Sequence, residues 1–349
     1  DDDSINLAWI DNSAGEEGFI IERKINNDSW IESYASVDSN ENSWNDLNII
    51  SGNTYSYRVR AFYSTFFSSY TDSSECTYIS SFILTYGGDN DDSGSSVKQT
   101  TDGGFIIVGY TSSFDVSGTD IWLIKTDIDG NEQWSKTFGG ISYDSGSSIQ
   151  QTTDGGYIIL GNTRSYGAGN NDIWLIKTDS LGNEQWNRTF GSTGYDVGYS
   201  VQQTSDGGYI ISGHKEGSND YSIWLIKTDS SGNEEWNNTF DDLVSNSYNK
   251  GYSVQQTSDG GYIVVGNRIE NKNDIWLIKT DSSGNEIWDR RFPISVDDDY
   301  GYSVQQTTDR GFIIAGESAY DLQLIKTTEN GSEVWEKTYA GSGMDYGYS

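Results

Sequence analysis

The segment Trp134-Ser-Lys-Thr-Phe138 returns as Trp186-Asn-Arg-Thr-Phe190, Trp236-Asn-Asn-Thr-Phe240, Trp288-Asp-Arg-Arg-Phe292 and Trp335-Glu-Lys-Thr-Tyr339. The tryptophans are 52, 50, 52 and 47 residues apart. So regular a period restricts the chain to architectures in which one unit is repeated and packed on its neighbours. Two further markers keep the period. Ile121-Trp-Leu-Ile-Lys-Thr126 recurs from Ile173, Ile223 and Ile275, and becomes Leu322-Gln-Leu-Ile-Lys-Thr327 in the fifth copy. Ser200-Val-Gln-Gln-Thr204 has relatives from Ser96, Ser148, Ser253 and Ser303. Five copies run over residues 85–337, and a sixth begins at Thr338.

Each copy reads as four strands. In the third they are predicted at 200–204, 209–213, 223–228 and Glu234–Phe240. Ser205-Asp-Gly-Gly208 and Asp229-Ser-Ser-Gly-Asn233 supply the hairpin turns, where glycine tolerates positive φ. Strand three is rich in β-branched and aromatic residues. Four short strands in about 50 residues, repeated, predict an all-β chain with β-propeller blades. Solenoid repeats, the competing architecture, are usually shorter. Trp134, Trp186, Trp236, Trp288 and Trp335 are expected to fill the wedge between neighbouring blades as structural residues. The tryptophans of strand three (Trp122, Trp174, Trp224, Trp276) are expected to pack blade to blade from the opposite sheet face.

Composition removes several classes. The 349 residues carry 53 acidic and 21 basic side chains, a net charge of −32. That balance argues against nucleic-acid partners. No apolar run approaches the roughly 20 residues of a membrane-spanning helix. One cysteine, Cys76, and one histidine, His214, exclude an internal disulfide framework and clustered His or Cys metal sites. The chain starts at Asp1 and its single methionine is Met344, so a processed or partial chain is expected. Abundant Asn, Asp, Ser and Tyr with little Cys suit an extracellular or cell-surface protein.

Lys227-Thr-Asp-Ser-Ser-Gly-Asn-Glu-Glu-Trp236 and its copies resemble the tryptophan-docking motif of quinoprotein alcohol dehydrogenase-like propellers, and secreted prokaryotic surface repeats still more. The resemblance implies the fold over residues 81–349. The quinone-binding enzymes of that family use a vicinal cysteine pair, absent here, so no cofactor is expected.

Residues 1–80 differ. Ile5-Asn-Leu-Ala-Trp9, Glu17-Gly-Phe-Ile-Ile-Glu-Arg-Lys24 and Gly52-Asn-Thr-Tyr55-Ser-Tyr57-Arg-Val-Arg-Ala61 resemble fibronectin type III strands. The resemblance implies a β-sandwich with Trp9 as its core tryptophan and Tyr55 as its tyrosine corner. The first strand of such a sandwich is expected to be missing, and 81–86 resembles a spare fourth blade strand.

Candidate chemistry is sparse. Asp92, Asp144, Asp196, Asp299 and Asp345 stand in Asp-x-Gly-x-Ser before the inner strands, with Asn249 in the fourth copy. As a ring near one mouth of the pore they would suit Ca²⁺, which takes oxygen ligands; as Asx-turns they would order the loop backbone. The pair Gln202–Gln203 and its equivalents would face a channel ligand or bond backbone near the axis. His214 is expected in a solvated loop. Sequons occur at Asn27, Asn187, Asn237 and Asn330. No spacing selects a catalytic pair.

The expected function is therefore non-enzymatic: a structural or adhesive surface protein. Two explanations of the incomplete blade set stand side by side: further blades of a longer chain that close a larger ring, or strand exchange between subunits of a filament or surface layer. The alternative function is a propeller module that binds carbohydrate or another ligand, with extracellular glycans or proteins as partners.

Overall fold

The computed structural model describes residues 4–12, 15–50, 52–77, 84–114, 116–218, 220–241, 247–269 and 272–339. These contain strands and turns but no helix. They form two compact units. The first holds residues 1–85 with the hairpin segments 99–105 and 126–133; the second holds the remainder.

In the first unit, strands Ile31–Asp38, Gly18–Ile25, Thr54–Tyr63 and Phe66–Phe67 lie in that order, and Ser74–Thr77 also pairs with Thr54–Tyr63. Ile5–Ala8 pairs with Ser43–Asp46 as a second small sheet. Alternation puts Tyr55, Tyr57 and Val59 on one face, where they are buried with Ile5, Phe19 and Ile21. Trp9 packs at this core, 5.5 Å from the Phe19 ring. The Tyr55 hydroxyl accepts a 2.6 Å bond from the Ile50 N–H, a tie back to upstream backbone.

Residues 92–339 hold the five described blades of a β-propeller. Blade 1 comprises Asp92–Gln99, Phe105–Thr111, Asp120–Thr126 and Glu132–Phe138. Blade 2 comprises Asp144–Gln151, Tyr157–Thr163, Asp172–Thr178 and Glu184–Phe190. Blade 3 comprises Val197–Gln203, Tyr209–Glu216, Tyr221–Thr228 and Glu234–Phe240. Blade 4 comprises Lys250–Gln256, Tyr262–Ile269, Asn273–Thr280 and Glu286–Phe292. Blade 5 comprises Asp299–Gln306, Phe312–Ser318, Asp321–Thr327 and Glu333–Tyr339. Each is an antiparallel four-stranded sheet in chain order.

The strands of a blade are nearly all apolar at their centre because both faces are covered. Between blades 2 and 3, Ile158, Leu160, Ile173 and Leu175 meet Tyr209, Ile211, Trp224 and Ile226. Each such aliphatic side chain contributes roughly 1.5–3 kcal/mol on burial. The fourth-strand tryptophans meet rings of the next blade: Trp134, Trp186, Trp236 and Trp288 lie 5.7–6.0 Å from Tyr157, Tyr209, Tyr262 and Phe312. Trp335 in blade 5 has no following blade among the described residues and is 38% exposed.

A lysine staples each of blades 2 to 5 internally. Lys177, Lys227, Lys279 and Lys326, from the Ile-Lys-Thr marker, reach Asp154, Asp206, Asp259 and Asp309 of the first hairpin at 2.9–3.0 Å. Of the spare strand expected at 81–86, residues 81–83 lie outside the described residues and 84–86 are not in a strand. Residues 340–349, the start of the sixth copy, also lie outside them.

Candidate functional site

The inner strands come together around the axis, and side chains stitch them. Gln150, Gln202 and Gln255 accept, through Oε1, the backbone N–H of Gln203, Gln256 and Gln306 in the next blade at 2.6–2.7 Å. The second glutamines do likewise one residue further on: Gln203, Gln256 and Gln306 accept from Thr153, Ser205 and Ser258 of the preceding blade. Ser148, Ser200 and Ser253 accept weaker bonds from Val201, Val254 and Val304. The glutamine carbonyls of Gln150, Gln202 and Gln255 thus hold backbone of the next blade.

A recess of about 600 Å³ lies inside this ring. Its wall changes around the axis. Blades 3, 4 and 5 contribute Tyr199, Tyr252 and Tyr302, whereas blades 1 and 2 place Ser95 and Ser147 at the same level. The tyrosines form a continuous aromatic arc, with Tyr252 5.0 Å from Tyr199 and 5.3 Å from Tyr302. At the level of the glutamines, blade 1 substitutes Lys98. Among the described residues no carboxylate lines this recess, although the chain carries 53 acidic residues.

Behind the arc, Tyr199 shares a 3.2 Å bond with His214 Nδ1, and Tyr302 donates to Glu317 at 3.1 Å. Burial raises the phenols of Tyr199 and Tyr252 above their usual range, with neighbouring tyrosines adding to it. His214 corrects the sequence expectation. It is 3% exposed in the second strand of blade 3, stacked 4.5 Å from Tyr221. The extension of that strand to Glu216 against Tyr221–Thr228 carries it inward. Burial, and then the Lys250 charge, lower its pKa to about 3, so it is neutral at pH 7.

The acidic ring expected for Ca²⁺ is not assembled as a ring. Among the described residues no three His, Cys, Asp or Glu side chains form a metal-holding group. Asp144, Asp196 and Asp299 are fully buried, each at its own blade junction, and they cap backbone. Gly140 donates to Asp144 at 2.9 Å, Ser192 and Glu216 to Asp196, and Ile294 and Ser295 to Asp299. Asp92 accepts from Gly88. Asn249 plays the same part toward Ile269. Asp345 lies outside the described residues.

The sequons fall in two settings. Asn187 and Asn237 lie in fourth strands, accept from Trp174 and Trp224, and donate to Glu184 and Glu234. Asn27 and Asn330 lie in turns. Cys76 is exposed in Ser74–Thr77. The larger groove, about 1060 Å³ between blades 4 and 5, has charges that pair with one another, as Lys279 with Asp259 and Arg310 with Glu329.

The repeated markers already located the Ser and Gln positions. The tyrosine arc and Lys98 were not singled out, although the substitutions of Ser by Tyr and of Gln by Lys within aligned copies could have found them.

No family model and no curated protein matches this chain. Among solved structures, a protein of unknown function from Dyadobacter fermentans aligns over 71% of this chain and 83% of its own, with a TM-score of 0.50 at 9% identity. The Pan2 WD40 domain of Neurospora crassa aligns over 72% and 68%, at TM-score 0.48 and 9% identity. A polysaccharide lyase of family PL25, an ulvan lyase, aligns over 82% and 80%, at TM-score 0.49 and 12% identity. At 9% identity the likeness to the Dyadobacter fermentans protein bears on fold alone.

Proposed function

We propose that this chain is a non-enzymatic adhesive protein of the cell exterior whose propeller recess binds a saccharide. The observation that carries this reading is the aromatic arc Tyr199–Tyr252–Tyr302 facing a wall of serine hydroxyls and glutamine amides. A pyranose ring has apolar C–H faces and equatorial hydroxyls. Tyrosine faces suit the former, and uncharged donors suit the latter. Lys98 adds one positive charge to a recess with no carboxylate among its described lining residues, which favours a sugar bearing an acid. In this reading the leading unit is a fibronectin type III-like sandwich serving as a spacer, consistent with the Tyr55–Ile50 tie and the Trp9 core. The propeller is of the tryptophan-docking kind.

The test is a glycan array followed by calorimetry. Wild type is expected to bind an oligosaccharide, Tyr252→Ala to lose it, and Lys98→Gln to lose preference for acidic over neutral sugars. Absence of any glycan binding, or binding untouched by Tyr252→Ala, would overturn the reading.

A second reading, a self-associating filament or layer, is favoured by blade 5. Its outer strand Glu333–Tyr339 is exposed at every residue, and Ile313, Ala315, Leu322 and Leu324 are only half-buried. Concentration-dependent light scattering separates the two readings.

A further inference from the structure

We propose that the junction of blades 1 and 2 holds a hard divalent cation, of the Ca²⁺ class, between Asp120 and Asp144. The backbone brings the two together. Thr119 and Tyr143 form a parallel bridge, and the Asp144 N–H donates to the Thr119 carbonyl at 2.7 Å. The next residue of one strand therefore lies beside Asp144 of the other. Asp120 Oδ1 rests against Gly139, where a Cβ would lie 2.0 Å from it, and Gly140 donates to Asp144 Oδ2.

Three oxygens at this spot are buried and have no hydrogen-bond partner among the described residues: Thr119 Oγ1, Asp120 Oδ1 and Asp144 Oδ1. Asp144 is fully buried and Asp120 is 9% exposed. A buried carboxylate oxygen without a donor is costly, and two acids side by side are costlier. All three atoms are oxygens, the donor set that Ca²⁺ prefers.

The chain contains its own control. At the junction of blades 4 and 5 the equivalent acids are Asp274 and Asp299. There Lys272 sits between them, 3.3 Å from Asp274 and 3.2 Å from Asp299, and Arg291 pairs with Asp274 at 2.5 Å. Two acids face two cations. At the junction of blades 3 and 4 both acids are absent, with Ser222 and Asn249 in their places. At the junction of blades 1 and 2 both acids are present, but Gly118 and Thr137 occupy the Lys272 and Arg291 positions. The charge that the protein supplies in one copy, and does not need in another, is missing here. The pair Asp172 and Asp196 differs in that Ala168 and Gly169 N–H groups donate to Asp172 Oδ2, while Ser192 and Glu216 N–H groups donate to the two oxygens of Asp196.

The test is calorimetry of the full chain with CaCl₂ after chelation, at pH 7, alongside melting curves with and without Ca²⁺. Wild type is expected to bind calcium and melt higher with it. Asp144→Asn is expected to bind one equivalent fewer. Should that variant fail to fold, Thr137→Arg supplies the Arg291 equivalent at an exposed position. It is expected to lose the same equivalent while melting, without calcium, no lower than calcium-free wild type. Absence of calcium binding by wild type, with the acid pair instead sharing a proton, would overturn the proposal. So would calcium binding unchanged in both variants.

Discussion

Gly232, at the tip of the second hairpin of blade 3, has a φ of +77° and lies flat against the Trp186 indole of blade 2; a Cβ there would stand 2.5 Å from the ring. Gly182 against Trp134, Gly284 against Trp236 and Gly331 against Trp288 repeat the contact at 2.5–2.6 Å. One tryptophan and one glycine therefore lock each pair of neighbouring blades. Gly232→Ala meets both the positive-φ penalty and the ring, and is expected to cost about 2–4 kcal/mol. Gly207→Ala is the control. It has a φ of +86° with nothing within 4 Å of the added Cβ, and should cost about 1 kcal/mol. Chemical denaturation of the two variants checks the difference.

The blades were legible in the sequence because repetition averages over local ambiguity. The fourth strand of blade 3 was placed at Glu234–Phe240, as observed, since Trp236 and the Gly232 turn bracket it. The second strand was predicted to stop at Gly213 but runs on to Glu216, because its extension depends on pairing with Tyr221 and Ser222, which a local pattern does not show. That error exposed His214 on paper and buried it in the fold. The acids before the inner strands were recognised as a recurring set, but their partners Asp120 and Asp172 sit about 24 residues away in sequence. The charge environment of each pair became visible only when parallel bridges placed the two strands side by side.

Neutral His214 gives a pH signature. Its pKa falls from 6.5 to about 3 on folding, so the unfolded chain binds the proton more readily. The stability it confers is complete above pH 6.5 and declines as pH drops from there toward 3. Wild type is therefore expected to lose stability across that window faster than His214→Gln, whose side chain does not titrate. Melting temperatures of both proteins from pH 7 to pH 4 check this. Parallel curves would show that the ring is accessible to solvent protons.

The same substitution should have unequal consequences in blades 3 and 5. Leu225 is fully buried between blades, whereas Leu324, its counterpart, is half-buried. Leu225→Asp places an unpaired charge in the core and is expected to cost about 4 kcal/mol or more, enough to prevent folding. Leu324→Asp is expected to cost less than about half as much in dilute solution. An equal loss at the two sites would show that the blade 5 face is covered in solution.

Lys227 tests the internal staple. Its ammonium reaches Asp206 and Glu235 at 2.9 Å each and donates to the Thr228 carbonyl at 2.9 Å. Burial works against ionised Asp206, but the Thr204 hydroxyl, Lys227 and the Gly208 N–H outweigh it and hold its pKa at about 2. Lys227→Met keeps the apolar stem and removes the charge. The Thr228 carbonyl then loses a donor, at a cost of about 1–2 kcal/mol near neutral pH. Asp206 is expected to titrate closer to 3.8 in the variant, which carboxyl NMR resolves. A depressed carboxylate stabilises the fold above its unfolded pKa and loses that contribution as pH falls through the folded one. The variant should therefore lose less than wild type between pH 4 and pH 2. An Asp206 titration that stays near 2 in Lys227→Met would assign the depression to Thr204 and Gly208 alone.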